Sequence, residues 1–192
     1  MSTKEKIGIF GSAAGVTEEI NQKARQLGEA LAAYDVILIT GACSGLPYEA
    51  VNSARKVNSE IEIWGYSPAY DYEEQVSLTP GNDNDIYSKL IYTSRNVSVT
   101  DITSRRKYRN VLSTDQCDAG IIISGQWGTL NEFTNLFDMG KVVGVLIDTG
   151  GVADLLLELS QKISKPSKAK VIFNSDPTAL VSYVLKMAQE RK

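Results

Sequence analysis

Apolar residues recur along the chain in two periods. Short β-branched runs at residues 7–10, 36–40, 61–66, 90–93, 120–124, 142–147 and 170–173 read as strands. Between most of them, apolar positions spaced three and four apart predict amphipathic helices at about 17–33, 47–57, 103–114, 129–139, 152–163 and 176–188. Repeated strand then helix implies an α/β fold: a single-domain, doubly wound (Rossmann-like) parallel sheet of about seven strands with helices on both faces. No internal repeat or linker divides the 192 residues. One stretch, 67–86, carries Asp, Glu, Asn, Pro and Tyr without a clear period. It reads first as a solvated surface loop, and alternatively as a lid contributing Tyr70 or Tyr72.

In open parallel sheets, ligands collect where strands end, and here those positions are glycine-rich. Gly11-Ser12-Ala13-Ala14-Gly15 follows the first run, Gly41-Ala42-Cys43-Ser44-Gly45 the second, and Ser124-Gly125-Gln126-Trp127-Gly128-Thr129 the fifth. Gly150-Gly151 follows the sixth. Small turns expose backbone N–H groups, and a helix starting just after the fifth run adds partial positive charge suited to a phosphate. Thr129 is placed to cap that helix or donate to an oxyanion, and Glu132 lies one turn further in, where a carboxylate acts as acid, base or electrostatic stabiliser. The same glycines are equally explained as fold punctuation. The dinucleotide fingerprint G-x-G-x-x-G and the phosphate loop G-x-x-x-x-G-K-[ST] are both missing, which disfavours NAD and the ATPase class.

Composition narrows the chemistry. Histidine is absent, so Ser-His-Asp and Cys-His nucleophile pairs and histidine metal sites are excluded. Cys43 and Cys117 make no metal or redox spacing, and no metal or organic cofactor is expected. A net charge of −3 gives no general attraction for nucleic acid. The polar start at residues 1–6 is not that of a signal peptide, and no apolar run is long enough to span a bilayer, so a cytoplasmic protein without membrane or nucleic-acid partners is expected. The basic cluster Arg105-Arg106-Lys107-Tyr108-Arg109-Asn110 precedes the fifth run. Arg106 and Lys107 read as a solvated helix face, whereas Arg109 is placed to offer a planar fork to a phosphate or to hold Glu132.

At these residues the chain resembles the LOG proteins, often labelled lysine decarboxylase-like, a group of Rossmann-type nucleotide-binding proteins. Their hallmark is an Arg-containing helix followed by P-G-G-x-G-T-x-x-E, which Arg109-Asn110 and residues 124–132 match in spacing. Gly11-Ser12, Thr40-Gly41-Ala42 and Gly45-Leu46-Pro47-Tyr48-Glu49-Ala50 also look like the family's turns. The resemblance implies a phosphoribohydrolase that splits nucleoside 5′-monophosphates into free base and ribose 5-phosphate. Arg109 and Glu132 would be catalytic, with Gly11, Ser12, Gly41, Gly45, Asn110, Gly125, Gln126, Trp127, Gly128 and Thr129 around the phosphate or nucleotide. It also implies a homodimer, for which Leu130, Phe133, Leu136 and Phe137 form a stripe that serves either an interface or the sheet. The chain departs from the hallmark at Ser124 (Pro), Gln126 (Gly), Asn110 (Lys) and Asn131 (an acid). Arg109-Asn110 with the Gly45-Leu46-Pro47-Tyr48-Glu49 turn resembles a branch that includes molybdenum-cofactor carrier proteins, and implies the alternative of a carrier or sensor holding a nucleotide or phosphate-bearing pterin unchanged.

Overall fold

The inner strands are runs that bury their side chains against helices, and the two edge strands are only partly covered. In the computed structural model, which describes residues 4–13, 15–163 and 165–191, the strands are β1 (Glu5–Gly11), β2 (Val36–Thr40), β3 (Glu62–Ser67), β4 (Lys89–Tyr92), β5 (Ala119–Ile123), β6 (Val142–Leu146) and β7 (Lys170–Asn174). The helices are α1 (Glu18–Leu31), α2 (Leu46–Val57), α3 (Tyr72–Leu78), α4 (Ile102–Gln116), α5 (Trp127–Asp138), α6 (Gly151–Lys162) and α7 (Pro177–Gln189). Ala14 of the first glycine turn and the first three residues of the polar start lie outside the described residues.

Strand order is β4-β3-β2-β1-β5-β6-β7, with every pairing parallel. β2, β5 and β6 are buried along their whole length, as strands covered on both faces must be. Alternation sorts β1: Ile7 and Ile9 join the core under α1, α2 and α7, while Phe10 joins the core under α5 and α6. Each fully buried Ile or Leu contributes about 1.5–3 kcal/mol to holding these layers together. Caps fix several helix starts. The side chains of Thr17, Asp71, Asp101 and Asp176 accept first-turn amides of α1, α3, α4 and α7.

From β1 the chain steps outward to β2, β3 and β4, then returns to the opposite side of β1 to lay down β5, β6 and β7. Crossovers of one hand running in opposite directions place helices on opposite faces, which leaves a gap above the carboxyl ends of β1 and β5. The fold class expected from the sequence is thus the one observed. The stripe on α5 covers the sheet: Phe133 and Leu136 are buried, and Leu130 and Phe137 pack against the same core.

Residues 67–86 are not a solvated loop. They form α3, a short 3-10 turn at Asn84–Ile86 and a buried polar knot. Gln75 is fully buried; its Nε2 donates to Ala42 O (2.9 Å) and Asn84 Oδ1 (3.0 Å), and its Oε1 accepts from Ser67 Oγ (2.5 Å). Tyr70 stacks under Arg105 and Tyr72 donates to Asp85, so neither tyrosine serves as the envisaged lid.

Candidate functional site

The carboxyl ends of β1, β2 and β5 open into a crevice of about 590 Å³, within the size range of small-molecule sites. Its floor is Gly11, Ser12 and Ala13 after β1 and residues 41–44 after β2; α5 supplies one wall and α4 the other. Pro68, Gln75, Leu78 and Thr79 close the remaining side, so the knot of residues 67–86 is part of the wall.

The turns are tightly wound. Ala42, Ser124 and Asp148 have φ of 46°, 52° and 59°, and each follows the carboxyl end of a strand at this edge of the sheet. Such left-handed residues cost on the order of 1–3 kcal/mol and persist only where their surroundings hold them. Ala42 is held at both ends: its N–H donates to Thr40 Oγ1 and its carbonyl accepts from Gln75. Ser124 donates its N–H to Thr149 Oγ1, and the carbonyls of Ser124 and Gly125 accept from the first turn of α6.

That last contact reassigns a predicted ligand residue. Gly125 (φ 101°) is turned toward α6, and a Cβ there would strike the Thr129 side chain at 2.4 Å, so this glycine serves the joint between β5, α5 and α6. Gly45 (φ 83°) is similar: a Cβ would lie 2.4 Å from Ser12 O, which already accepts Leu46 N–H. Trp127, 82 % exposed, points outside the crevice. Gly45, Gly125 and Trp127 therefore do not line the space. Gly11, Ser12, Gly41, Asn110, Gln126, Gly128 and Thr129 do, together with Arg109 and Glu132.

Gln126 occupies the N-cap of α5 in ordinary extended backbone (φ −127°), and no side chain caps the helix. Thr129 lies inside the first turn rather than at the cap. The first-turn amides thus lack intrahelical acceptors, at the end of the helix that carries partial positive charge.

Arg109 is 8 % exposed, and its Nε and Nη1 have no hydrogen-bond partner among the described residues. Its guanidinium lies so close to the β2 turn that a Cβ on Gly41 would fall 1.3 Å from Nη1. Glu132, 7 % exposed, sits opposite on α5. Burial pushes its carboxyl up to about 7, with Arg109 and then Lys107 pulling partway back. None of the ion pairs among the described residues includes Arg109 or Glu132. Burial also raises the Cys43 thiol on the floor, so it rests protonated.

Asn110 is 3 % exposed, and its Nδ2 donates to Asn131 Oδ1 (3.1 Å) and toward Gly128 O (3.4 Å). Two departures from the family hallmark are therefore one hydrogen-bonded amide pair that ties α4 to the start of α5.

Arg106 and Lys107 are not merely a solvated face. Thr103, Arg106, Lys107 and Asn110 all line the crevice, and their i, i+3, i+4, i+7 spacing is one helical stripe. That spacing was available in the sequence; the contributions of Pro68, Leu78 and Thr79 had no comparable signal. Among the described residues, no group of three or more Cys, Asp or Glu side chains is placed to hold a metal ion, and no helix is long and apolar enough to cross a membrane.

A family model described as the SLOG cluster4 family (LDcluster4) matches residues 4–181. No curated protein matches the chain. Among solved structures, the structural-genomics protein TM1055 superposes with a TM-score of 0.76 at 17 % identity, over 95 % of this chain and 99 % of that one. The molybdenum cofactor binding protein of the phototrophic bacterium Rippkaea orientalis gives 0.69 at 20 % identity, over 97 % and 99 %. DNA processing protein A of Helicobacter pylori, which binds single-stranded DNA, gives 0.69 at 18 % identity, over 98 % and 82 %. At these identities the likeness is one of fold.

Proposed function

The chain belongs to the SLOG cluster4 family, and from that premise we propose that its crevice takes a phosphorylated nucleoside and hydrolyses the N-glycosidic bond to free base and ribose 5-phosphate. The observation that carries this reading is Glu132: a buried carboxyl pushed up to about 7, facing a crevice whose opposite wall holds an arginine with no ion-pair partner and with Nε and Nη1 unpartnered among the described residues. A group with that pKa is present in both protonation states at neutral pH, which suits proton transfer. In this reading the first-turn amides of α5 and Arg109 hold the 5′-phosphate. As the bond from C1′ to the base nitrogen breaks, the ionised Glu132 stabilises the positive charge spread over C1′ and the ring oxygen. Water then bonds to C1′, Glu132 accepting its proton and passing it to the departing base nitrogen, so the base leaves as the neutral free base and the carboxylate is regenerated.

A second reading is favoured by the departures. With Gln126 on the α5 wall and a neutral Asn110–Asn131 pair where the hallmark has Lys and an acid, the crevice would hold a nucleotide or phosphate-bearing pterin and release it unchanged. Both readings take a small phosphorylated ligand rather than a nucleic-acid strand, and both keep the expected cytoplasmic homodimer as part of the proposal.

Incubation with a panel of nucleoside monophosphates, with ribose 5-phosphate as the readout, separates the two. The hydrolase gives product from wild type and at least about 100-fold less from Glu132→Gln, with phosphate-ligand affinity retained. Undiminished cleavage by Glu132→Gln would remove the assignment. Binding without any turnover by wild type selects the carrier.

A further inference from the structure

The α4 stripe raises a question of charge that one phosphate does not answer. Three cations line the crevice, Arg106, Lys107 and Arg109, against the single acid Glu132, in a chain whose net charge is −3. None of the three has an ion-pair partner among the described residues. Arg109 is deep and aimed at the turn after β2, whereas Arg106 and Lys107 stand exposed on the same wall. The crevice thus has a buried cationic end beside the uncapped start of α5 and a separate cationic rim along α4.

A phosphate monoester carries about −2 at neutral pH, and a second phosphoryl group joined to it adds about one more negative charge. The deep end, with helix amides and one guanidinium, suits the monoester. Arg106 and Lys107 then have no partner unless the ligand extends along α4. We propose that the ligand is a nucleoside 5′-diphosphate or a derivative keeping that diphosphate, with one phosphoryl group at the start of α5 and the other between Arg106 and Lys107. This rests on the reading of the crevice as a phosphorylated-nucleoside site. It deepens that reading, because the rim cations add a specificity that the α5 turn and Arg109 lack; cleavage of such a ligand at the same bond leaves ribose 5-diphosphate in place of ribose 5-phosphate.

The test is calorimetric titration of the whole chain with AMP, GMP, CMP and UMP and with the corresponding diphosphates, without added metal. At least one diphosphate binds about tenfold or more tightly than its monophosphate, the gain expected from one added charge-assisted contact. In the Arg106→Ala/Lys107→Ala double variant that ratio falls below about threefold, while Lys170→Ala on distant β7 keeps it. Both rim residues are exposed, so the double variant folds, and its melting curve verifies this. Equal binding of mono- and diphosphates would overturn the diphosphate proposal alone. A ratio that survives the double variant would overturn the assignment to Arg106 and Lys107. Failure of every nucleotide to bind would overturn both this proposal and the reading beneath it.

Discussion

Arg105 and Arg109 sit one turn apart on α4, and both are more than nine-tenths buried, yet the fold treats them in opposite ways. Arg105 is engaged through both terminal nitrogens, with only its Nε unpartnered: Nη1 donates to Pro68 O (2.8 Å) and Glu74 Oε2 (3.1 Å), Nη2 donates to Glu74 Oε1 (2.7 Å), and the guanidinium lies 4.0 Å over the Tyr70 ring. Arg109 has a wall of glycine and no ion-pair partner. Their glutamates diverge in step. The Arg105 fork holds the Glu74 carboxyl below its ordinary value, whereas burial raises Glu132. One pair closes the wall of the crevice, and the other faces its interior. The difference teaches that a buried arginine is not by itself a sign of a site; a buried arginine with no carboxylate on its fork, facing a crevice, is.

The contrast can be broken most severely at Glu132. Its folded pKa of about 7 lies above the ordinary 4.5, so the folded state keeps a proton that the unfolded chain has lost. The Glu132 contribution to stability is therefore greatest below about pH 4.5 and declines as pH rises toward 7. Glu132→Gln removes that decline and gains on the order of 3 kcal/mol over wild type at pH 8, with little difference at pH 4. Urea denaturation across this range reads it directly, and coincident wild-type and variant curves at pH 8 would show that the carboxyl is not strained.

Glu74→Gln goes the other way. The lowered pKa means that its contribution is present above the ordinary carboxylate value and fades as pH falls through the folded value. With the Glu74 side chain 30 % exposed, water takes up part of the loss, leaving about 1–2 kcal/mol of destabilisation at pH 7. Unchanged denaturation midpoints at pH 7 would mean that the Arg105 fork is not structural.

The smallest effect on stability sharpens the comparison most. Gly41→Ala puts a methyl group where Arg109 Nη1 now lies, and the far end of a flexible side chain is what must move. The expected loss of stability is under about 1 kcal/mol, because Arg109 gives up no ion pair, while binding of AMP weakens several-fold. A loss as large as that of Glu74→Gln would place Arg109 among the structural residues.

Sequence patterning was most legible where burial follows a period. β2, β5 and β6 are almost wholly apolar runs and five of the six longer helices bury apolar residues, so both periods are visible in the letters, whereas α4 buries Arg105, Arg109, Asn110, Ser113 and Thr114. α3 was invisible for a physical reason: its seven residues bury Gln75, and a helix anchored through a polar side chain leaves no apolar period. The site divides similarly. Arg109, Glu132 and the turns after β1 and β2 followed from strand ends and motif spacing. Gly45 and Gly125 followed the same rule and are joints, because the rule finds glycines without telling which neighbour demands them. Arg106 and Lys107 were read by exposure alone, although their spacing from Asn110 placed them on the crevice side of α4.

Ser124 carries a consequence for how this crevice can be reached by mutation. Its φ of 52° is closed to proline, whose ring fixes φ near −65°. The family's proline therefore cannot be restored here as an isolated change. Proline also has no N–H to donate to Thr149 Oγ1, and the peptide rotation it requires would reorient the carbonyls that α6 uses. Asn110 and Asn131 are coupled in the same manner, since either charged replacement alone would meet an amide where it needs a counter-charge. Moving this chain toward the hallmark therefore takes paired substitutions, because each single change breaks a contact that only the second can replace.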